Sequence, residues 1–361
     1  MFENAYFGKK VLVTGNTGFK GSWLSLWLEK LGATVIGYSI DIPTTPNHFE
    51  LLDLKYTTII GDVLNFEKLD SVVKKHQPEI IFHLAAQPLV RASYANPLKT
   101  FETNGIGTAT VLEVVRKNSC VTAVINITTD KVYENKEWEK PYTEDQVLNG
   151  YDPYSASKVV SEIITSSYRD SFFNLSEYGT SHATLLATAR SGNVIGGGDW
   201  AMDRLIPDIV QACNKGREVE IRNPAATRPW QHVLEPLSAY LVLGAKLLQG
   251  KKEFATAWNF GPSIEKEISV QEVLLECQKV WPDLKFKFDT RKHPHEAGRL
   301  QLDSTKALTN LQWKNTWDYP LCVIKTIEWY RSYYDTKSIE SINQLELYIE
   351  DAKAKGMAWL K

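Results

Sequence analysis

An α/β fold of Rossmann type, a doubly wound parallel sheet followed by a smaller, mixed C-terminal domain, is what this 361-residue chain predicts. Three observations carry the prediction. Short β-rich apolar runs alternate with helical patterns through the first half of the chain. A glycine-rich turn joins the first run to the first helix, and regular alternation stops near residue 190. One hydrophobic core rarely serves more than about 250–300 residues, so the length also favours two domains. The expected division is 1–190 and 191–361, the second part supplying substrate contacts, with segments near 229–260 returning to the first.

The elements follow in order. Lys10-Val11-Leu12-Val13-Thr14 reads as a buried strand, and residues 19–31 place Trp23, Leu24, Trp27, Leu28 and Leu31 at helical spacing. Further β-rich runs cover residues 34–39, 56–60, 79–83 and 121–128, with helical patterns between most of them. Such alternation implies a parallel sheet covered on both faces. A sixth run, residues 183–189, follows a helix that opens near Pro153. Beyond it the chain mixes short strands (219–221, 231–233, 257–260) with helices and proline-marked turns. Residues 343–360 read as an amphipathic helix lying on the surface.

Composition narrows the function classes. Apolar residues make up 43% and charged residues 23%, the usage of a chain that folds throughout. The 41 basic and 43 acidic residues are intermixed, giving a net charge of −2, so no one-sided basic surface invites nucleic acid. Cys120, Cys213, Cys277 and Cys322 form no Cys-x-x-Cys pair, which fits a reducing cytoplasm. His293 and His295 are the only close histidine pair, and no metal site is expected. No apolar run approaches the length that spans a bilayer, and the first residues carry no basic segment leading into an apolar core.

Gly15-Asn16-Thr17-Gly18-Phe19-Lys20-Gly21 is G-x-x-G-x-x-G, set directly after the first strand and opening the first helix. Glycines let the backbone turn sharply and approach a pyrophosphate, and the helix start offers unpaired N–H groups to its oxygens. Tyr154-Ser155-Ala156-Ser157-Lys158 is Tyr-x-x-x-Lys, but Tyr6/Lys10 and Tyr333/Lys337 share that spacing. Only the Tyr154 copy opens a helix, after Asp152-Pro153, where residues four apart share a face. An ammonium there favours a phenolate, and reaching neutrality from about 10 needs roughly three pKa units, or about 4 kcal/mol.

These motifs together resemble the extended short-chain dehydrogenase/reductase family that acts on nucleotide sugars. The resemblance implies NAD held by Gly15, Thr17, Gly18, Phe19 and Gly21, with Asp62 and Val63 at the adenine and Leu84, Ala85 and Ala86 on the nicotinamide side. Asp41, near the end of the second strand, suits a ribose hydroxyl, and no arginine stands there to receive a 2′-phosphate. The family's catalytic set maps onto Thr129, Tyr154 and Lys158, the last two also touching the cofactor. Its 4,6-dehydratases add an acid and a base just beyond the threonine, here Asp130 and Lys131. Enzymes acting on dTDP-glucose carry Asp-Glu at those places, so Lys131 resembles the CDP-glucose subgroup and leaves the base that acts at C5 open.

Several long strings are similar to that subgroup: Asn193-Val194-Ile195-Gly196-Gly197-Gly198-Asp199-Trp200, Arg204-Leu205-Ile206-Pro207-Asp208, and Arg228-Pro229-Trp230-Gln231-His232-Val233. Substrate contacts are implied for Gln87, Asn193, Arg204, Leu205, Arg228 and, from the weaker string His295-Glu296-Ala297, Glu296. Arg228 is chemically apt, since a guanidinium binds a diphosphate in a fork. CDP-glucose is the implied substrate and a homodimer or higher homo-oligomer the implied assembly, with the dimer built by helices near 103–117 and 155–170. A dehydratase for another nucleotide sugar, a 4-epimerase and a non-catalytic NAD sensor remain as alternatives.

Overall fold

The structure is a computed structural model, and it describes residues 1–262, 268–289 and 299–361. Seven strands form one parallel sheet: β1 (Lys10–Thr14), β2 (Thr34–Ser39), β3 (Thr57–Ile60), β4 (Ile80–His83), β5 (Ala123–Ile127), β6 (Leu185–Ser191) and β10 (Ala257–Phe260). Two short pairs complete the strands among the described residues, β7 (Val194–Ile195) with β9 (Gln231–His232) and β8 (Val219–Ile221) with β11 (Phe286–Phe288). The order across the large sheet is β10-β6-β5-β4-β1-β2-β3, and every neighbour pairs in parallel. The order reverses between β1 and β4, so a crevice opens beyond the carboxyl ends of these strands.

The apolar runs form strands because both faces of the sheet are covered: every residue of β4, β5 and β6 is buried. The last strand, β10, reaches the sheet only after some 60 residues of the mixed segment, pairing Ala257–Phe260 with Thr188–Ser191. Helix Phe19–Lys30 is buried from Gly21 to Leu28 and so carries tryptophans on more than one face. One face meets the sheet, and on another Trp27 packs edge-on against Tyr348 and Trp359.

That contact corrects the expectation for residues 343–360. The helix spans Ser341–Ala354 and stops near Gly356, which has φ +63, and the chain then turns Trp359 back into the main core. Leu345, Tyr348 and Ala352 are fully buried, and the Tyr348 hydroxyl donates to the Glu235 carboxylate at 2.8 Å. The segment is a wall of the core, because the residues facing Trp27 are aromatic and have nowhere else to go.

Candidate active site

The glycine turn is shaped by steric necessity at two positions. Gly15 has φ +75, and a Cβ there would lie 2.8 Å from the amide nitrogen of Ala85; at Gly21 it would lie 2.1 Å from the Gly15 carbonyl oxygen. The turn thus crosses itself and rests on the loop after β4. Gly18 caps the helix without any side-chain acceptor, leaving Phe19 and the first-turn N–H groups at the positive end of the helix dipole. Thr17 donates its hydroxyl to the Asp41 carbonyl at 2.6 Å, which ties the turn to the end of β2. Asn16 folds under the turn, donating to Tyr56 and Thr58 while accepting from Ser39.

The neighbouring strand ends complete a trough. Asp41 is exposed past β2. Beyond β3, the Asp62 carboxylate accepts from the Leu64 N–H at 3.0 Å, and Val63 is buried. Leu84, Ala85 and Ala86 leave β4 half-buried, anchored by Thr14, which accepts Leu84 N–H on its carbonyl and Ala85 N–H on its hydroxyl. Gln87, implied as a substrate contact, follows in the same loop. Its side-chain amide accepts from Leu89 N–H at 2.6 Å and donates to the Leu89 carbonyl and Thr100 hydroxyl, so it locks the loop. Asn104, in a widened π-type turn at Glu102–Ile106, clasps the Gln87 backbone and donates to Ser157. Asn104 carries no motif, and its role was not legible in the sequence.

β5 delivers the reactive cluster. Thr129 ends the strand and starts a tight turn, Asp130–Val132. Its hydroxyl is hydrogen-bonded to the Tyr154 phenol and donates to the Asp130 carboxylate at 3.0 Å. Tyr154 comes from helix Pro153–Ser171, started by proline at its first position and by the Asp152 cap, which accepts from Ser155 N–H at 3.0 Å. One turn later Lys158 donates its ammonium to the Ile127 carbonyl at 3.0 Å. Behind them Glu162 is bound bidentately by Arg190, at 2.8 and 3.0 Å, and takes hydrogen bonds from Thr128 and Thr188, fixing this helix against β5 and β6.

Burial governs the electrostatics. Tyr154 and Lys158 are 8% and 5% exposed. Burial pushes Tyr154 up to about 12, against the Thr129 hydrogen bond, with Asp130 raising it further. The lysine is drawn down to about 8 by burial, opposed by Glu162. Desolvation outweighs Arg204, so the phenol of the protein alone keeps its proton, and the expected phenolate needs the positive ring of bound NAD besides Lys158. Asp130, 2% exposed, is also raised by burial, against Lys131, Thr129, Arg228 and Lys20. Its second carboxylate oxygen is buried without a hydrogen-bond partner. A carboxyl in that state tends to hold its proton.

The remaining residues divide clearly. Arg204 donates to Asp199 at 2.8 Å, lies within electrostatic reach of Tyr154, and immediately precedes Leu205, the first residue of helix Leu205–Asn214. Arg228 donates to the Thr227 carbonyl and lies within reach of Asp130. Asn193 sits at the start of β7, its carbonyl accepting from Gln231 N–H. Glu296 falls outside the described residues, as do His293 and His295. The two other Tyr-x-x-x-Lys matches are structural: Tyr6 is buried and donates to the Leu241 carbonyl, and Lys337 lies over the Tyr333 ring. Lys20, which sequence reasoning passed over, joins the cluster; its only signal was a charge in an otherwise apolar first turn.

The strand order, the glycine turn and a Thr-Tyr-Lys set at the carboxyl ends of the strands define an extended short-chain dehydrogenase/reductase. Within that class, the family model described as GDP-mannose 4,6 dehydratase matches residues 12–325, and the chain belongs to this family. It is 46% identical to the CDP-glucose 4,6-dehydratase of Salmonella typhimurium over 334 residues, covering 92% of this chain and 93% of that protein. Among solved structures, the epimerase Mth375 of Methanothermobacter thermautotrophicus superposes with TM-score 0.80 at 24% identity, covering 92% of this chain and 95% of its own. The dTDP-glucose 4,6-dehydratase of Bacillus anthracis in complex with NAD gives 0.75 at 22%, covering 92% and 99%. These last two establish likeness of fold.

Proposed function

We propose that the chain is an NAD-dependent nucleotide-sugar 4,6-dehydratase that converts CDP-glucose to CDP-4-dehydro-6-deoxyglucose. The observation that carries this reading is Asp130: a buried carboxyl, pushed toward its protonated form, held by Thr129 beside Tyr154. Proton abstraction and hydride transfer alone give it no task, whereas expelling a hydroxyl does. The 46% relative's activity supports the same reading.

NAD, held by the glycine turn and the loops after β2, β3 and β4, would supply the hydride acceptor for C4 and the hydride donor for C6, and with C5 regaining a proton from solvent the overall change is loss of water. Tyr154 removes the C4 hydroxyl proton, and Thr129 holds the reacting oxygen. The C5 hydrogen, now beside a ketone, is taken by Lys131 or another nearby base, and Asp130 gives its proton to the departing C6 hydroxyl. Gly15, Gly18 and Gly21 admit the pyrophosphate, and Arg204 and Arg228 face the sugar diphosphate. Residues 1–190 with β10 form the cofactor side, and 191–361 mainly the nucleotide-sugar side. Leu98, Ile106 and Ile163, 72%, 56% and 58% exposed, support a homodimer through their helices. No helix among the described residues is long and apolar enough to cross a membrane, and the cysteines suit the cytoplasm.

Incubation with CDP-glucose in heavy water, and separately with dTDP-, GDP- and UDP-sugars, tests the reading by product mass. Loss of one water with gain of one deuterium at C5 is expected from CDP-glucose. Inversion at C4 without exchange would make the chain an epimerase, and stoichiometric release of NADH would refute the closed cycle.

A further inference from the structure

Lys20 occupies an unusual place for a lysine. It sits in the first turn of the glycine-turn helix, with its amine turned inward to donate to Ser191 at 2.9 Å and to Tyr240 at 3.4 Å. Ser191 and Tyr240 are themselves hydrogen-bonded at 2.8 Å. Among the described residues no carboxylate lies at ion-pair distance; the charged groups facing it are Asp130 from the turn after β5, Lys158 from the Tyr154 helix and Arg204 from before helix Leu205–Asn214. The Tyr240 hydroxyl is in turn within reach of Tyr154 and Asp130. Hydroxyls both donate and accept, so this pair can satisfy an ammonium or, after rotating, a neutral amine.

The nicotinamide ring must stand against the sugar carbon that Tyr154 addresses, and therefore in the space that Lys20 borders. An oxidised ring carries a positive charge and a reduced ring none. We infer that Lys20 is the charge-compensating residue of the cofactor site, a neutral amine when the oxidised ring is bound and an ammonium when the ring is reduced. Binding of the oxidised cofactor then expels one proton from Lys20 to water, and binding of the reduced cofactor expels none. Burial, then Arg204, draws this lysine down to about 7, with Asp130 opposing, so the exchange falls in the physiological range. The inference rests on the dinucleotide reading above.

Calorimetric titration with NAD and with NADH, in buffers of different ionisation enthalpy, provides the test. In a Tyr154→Phe background, where the phenol contributes no proton, the protein should release close to one proton per NAD bound at about pH 6 and progressively less through pH 7, and its NAD affinity should rise toward tenfold per unit below about pH 7 and level off above it. NADH should show neither effect. Adding Lys20→Met to that background removes the proton release and makes NAD affinity nearly independent of pH. Equal proton release with the two nucleotides, or release that persists in the variant, would overturn the inference while leaving the cofactor site intact. Failure of the wild-type protein to bind either nucleotide would remove the dinucleotide reading and this one with it. The comparison of NAD with NADH is made on one protein sample and does not depend on Lys20→Met folding.

Discussion

At the level of single residues, the proposed chemistry turns on two side chains whose environments push them the same way for different ends. Tyr154 is a phenol held at about 12 by burial, so it acts as a base only when added positive charge offsets the desolvation. Tyr154→Phe should lower kcat about 10²–10⁴-fold with little change in substrate binding, read by steady-state kinetics and a binding titration. Asp130 needs the opposite state, a retained proton. In Asp130→Asn the C4 oxidation should persist while elimination fails, so reduced-cofactor absorbance should build up on the enzyme as dehydrated product falls about 10²-fold or more. The placing of Tyr154 and Lys158 one turn apart at a helix start was legible because Asp152-Pro153 marks that start. Lys20 and Asn104 were not, because their importance comes from packing across elements distant in sequence. At Gln87 the motif shows which residue is present, and only the structure shows that its amide hydrogen-bonds to Leu89 and Thr100.

At the level of elements, most of the sheet was legible because parallel strands buried on both faces read as continuous apolar runs. The tail was less so: an amphipathic pattern says that one face is apolar, but not whether it meets the edge of a core or, as Tyr348 and Trp359 do, its centre. The glycine turn is the most constrained element. A methyl on Gly21 would sit 2.1 Å from the Gly15 carbonyl oxygen, and the atom it meets is backbone, which cannot swing aside. Gly21→Ala should therefore cost about 1–3 kcal/mol of stability and lose NAD affinity together with it. Thermal unfolding and nucleotide titration of the same sample check both, and an unchanged affinity would mean that the cofactor does not use this turn.

For the whole molecule, the buried histidines set the response to acid. His48, His83 and His232 are each drawn down to about 3 by burial, from 6.5. Their folded values are depressed, so the unfolded chain binds more protons below pH 6.5 and stability falls as pH falls. Glu235 and Asp208 act in the other direction, since burial raises the first to about 7 from 4.5 and, with Asp203 beside it, the second to about 6 from 3.8. Three protons against two leaves a net of about one, so stability should drop about 1 kcal/mol per pH unit between roughly pH 6 and 5. Denaturant unfolding across that range should show the decline, and His232→Asn should flatten it. Another consequence follows from how β10 joins the sheet. Severing the chain between β6 and β10 would strip the partner from a strand buried along its whole length and leave a row of unsatisfied amides and carbonyls. A fragment ending near residue 190 is thus expected to self-associate edge to edge, and to be rescued only by complementation with a peptide carrying Ala257–Phe260.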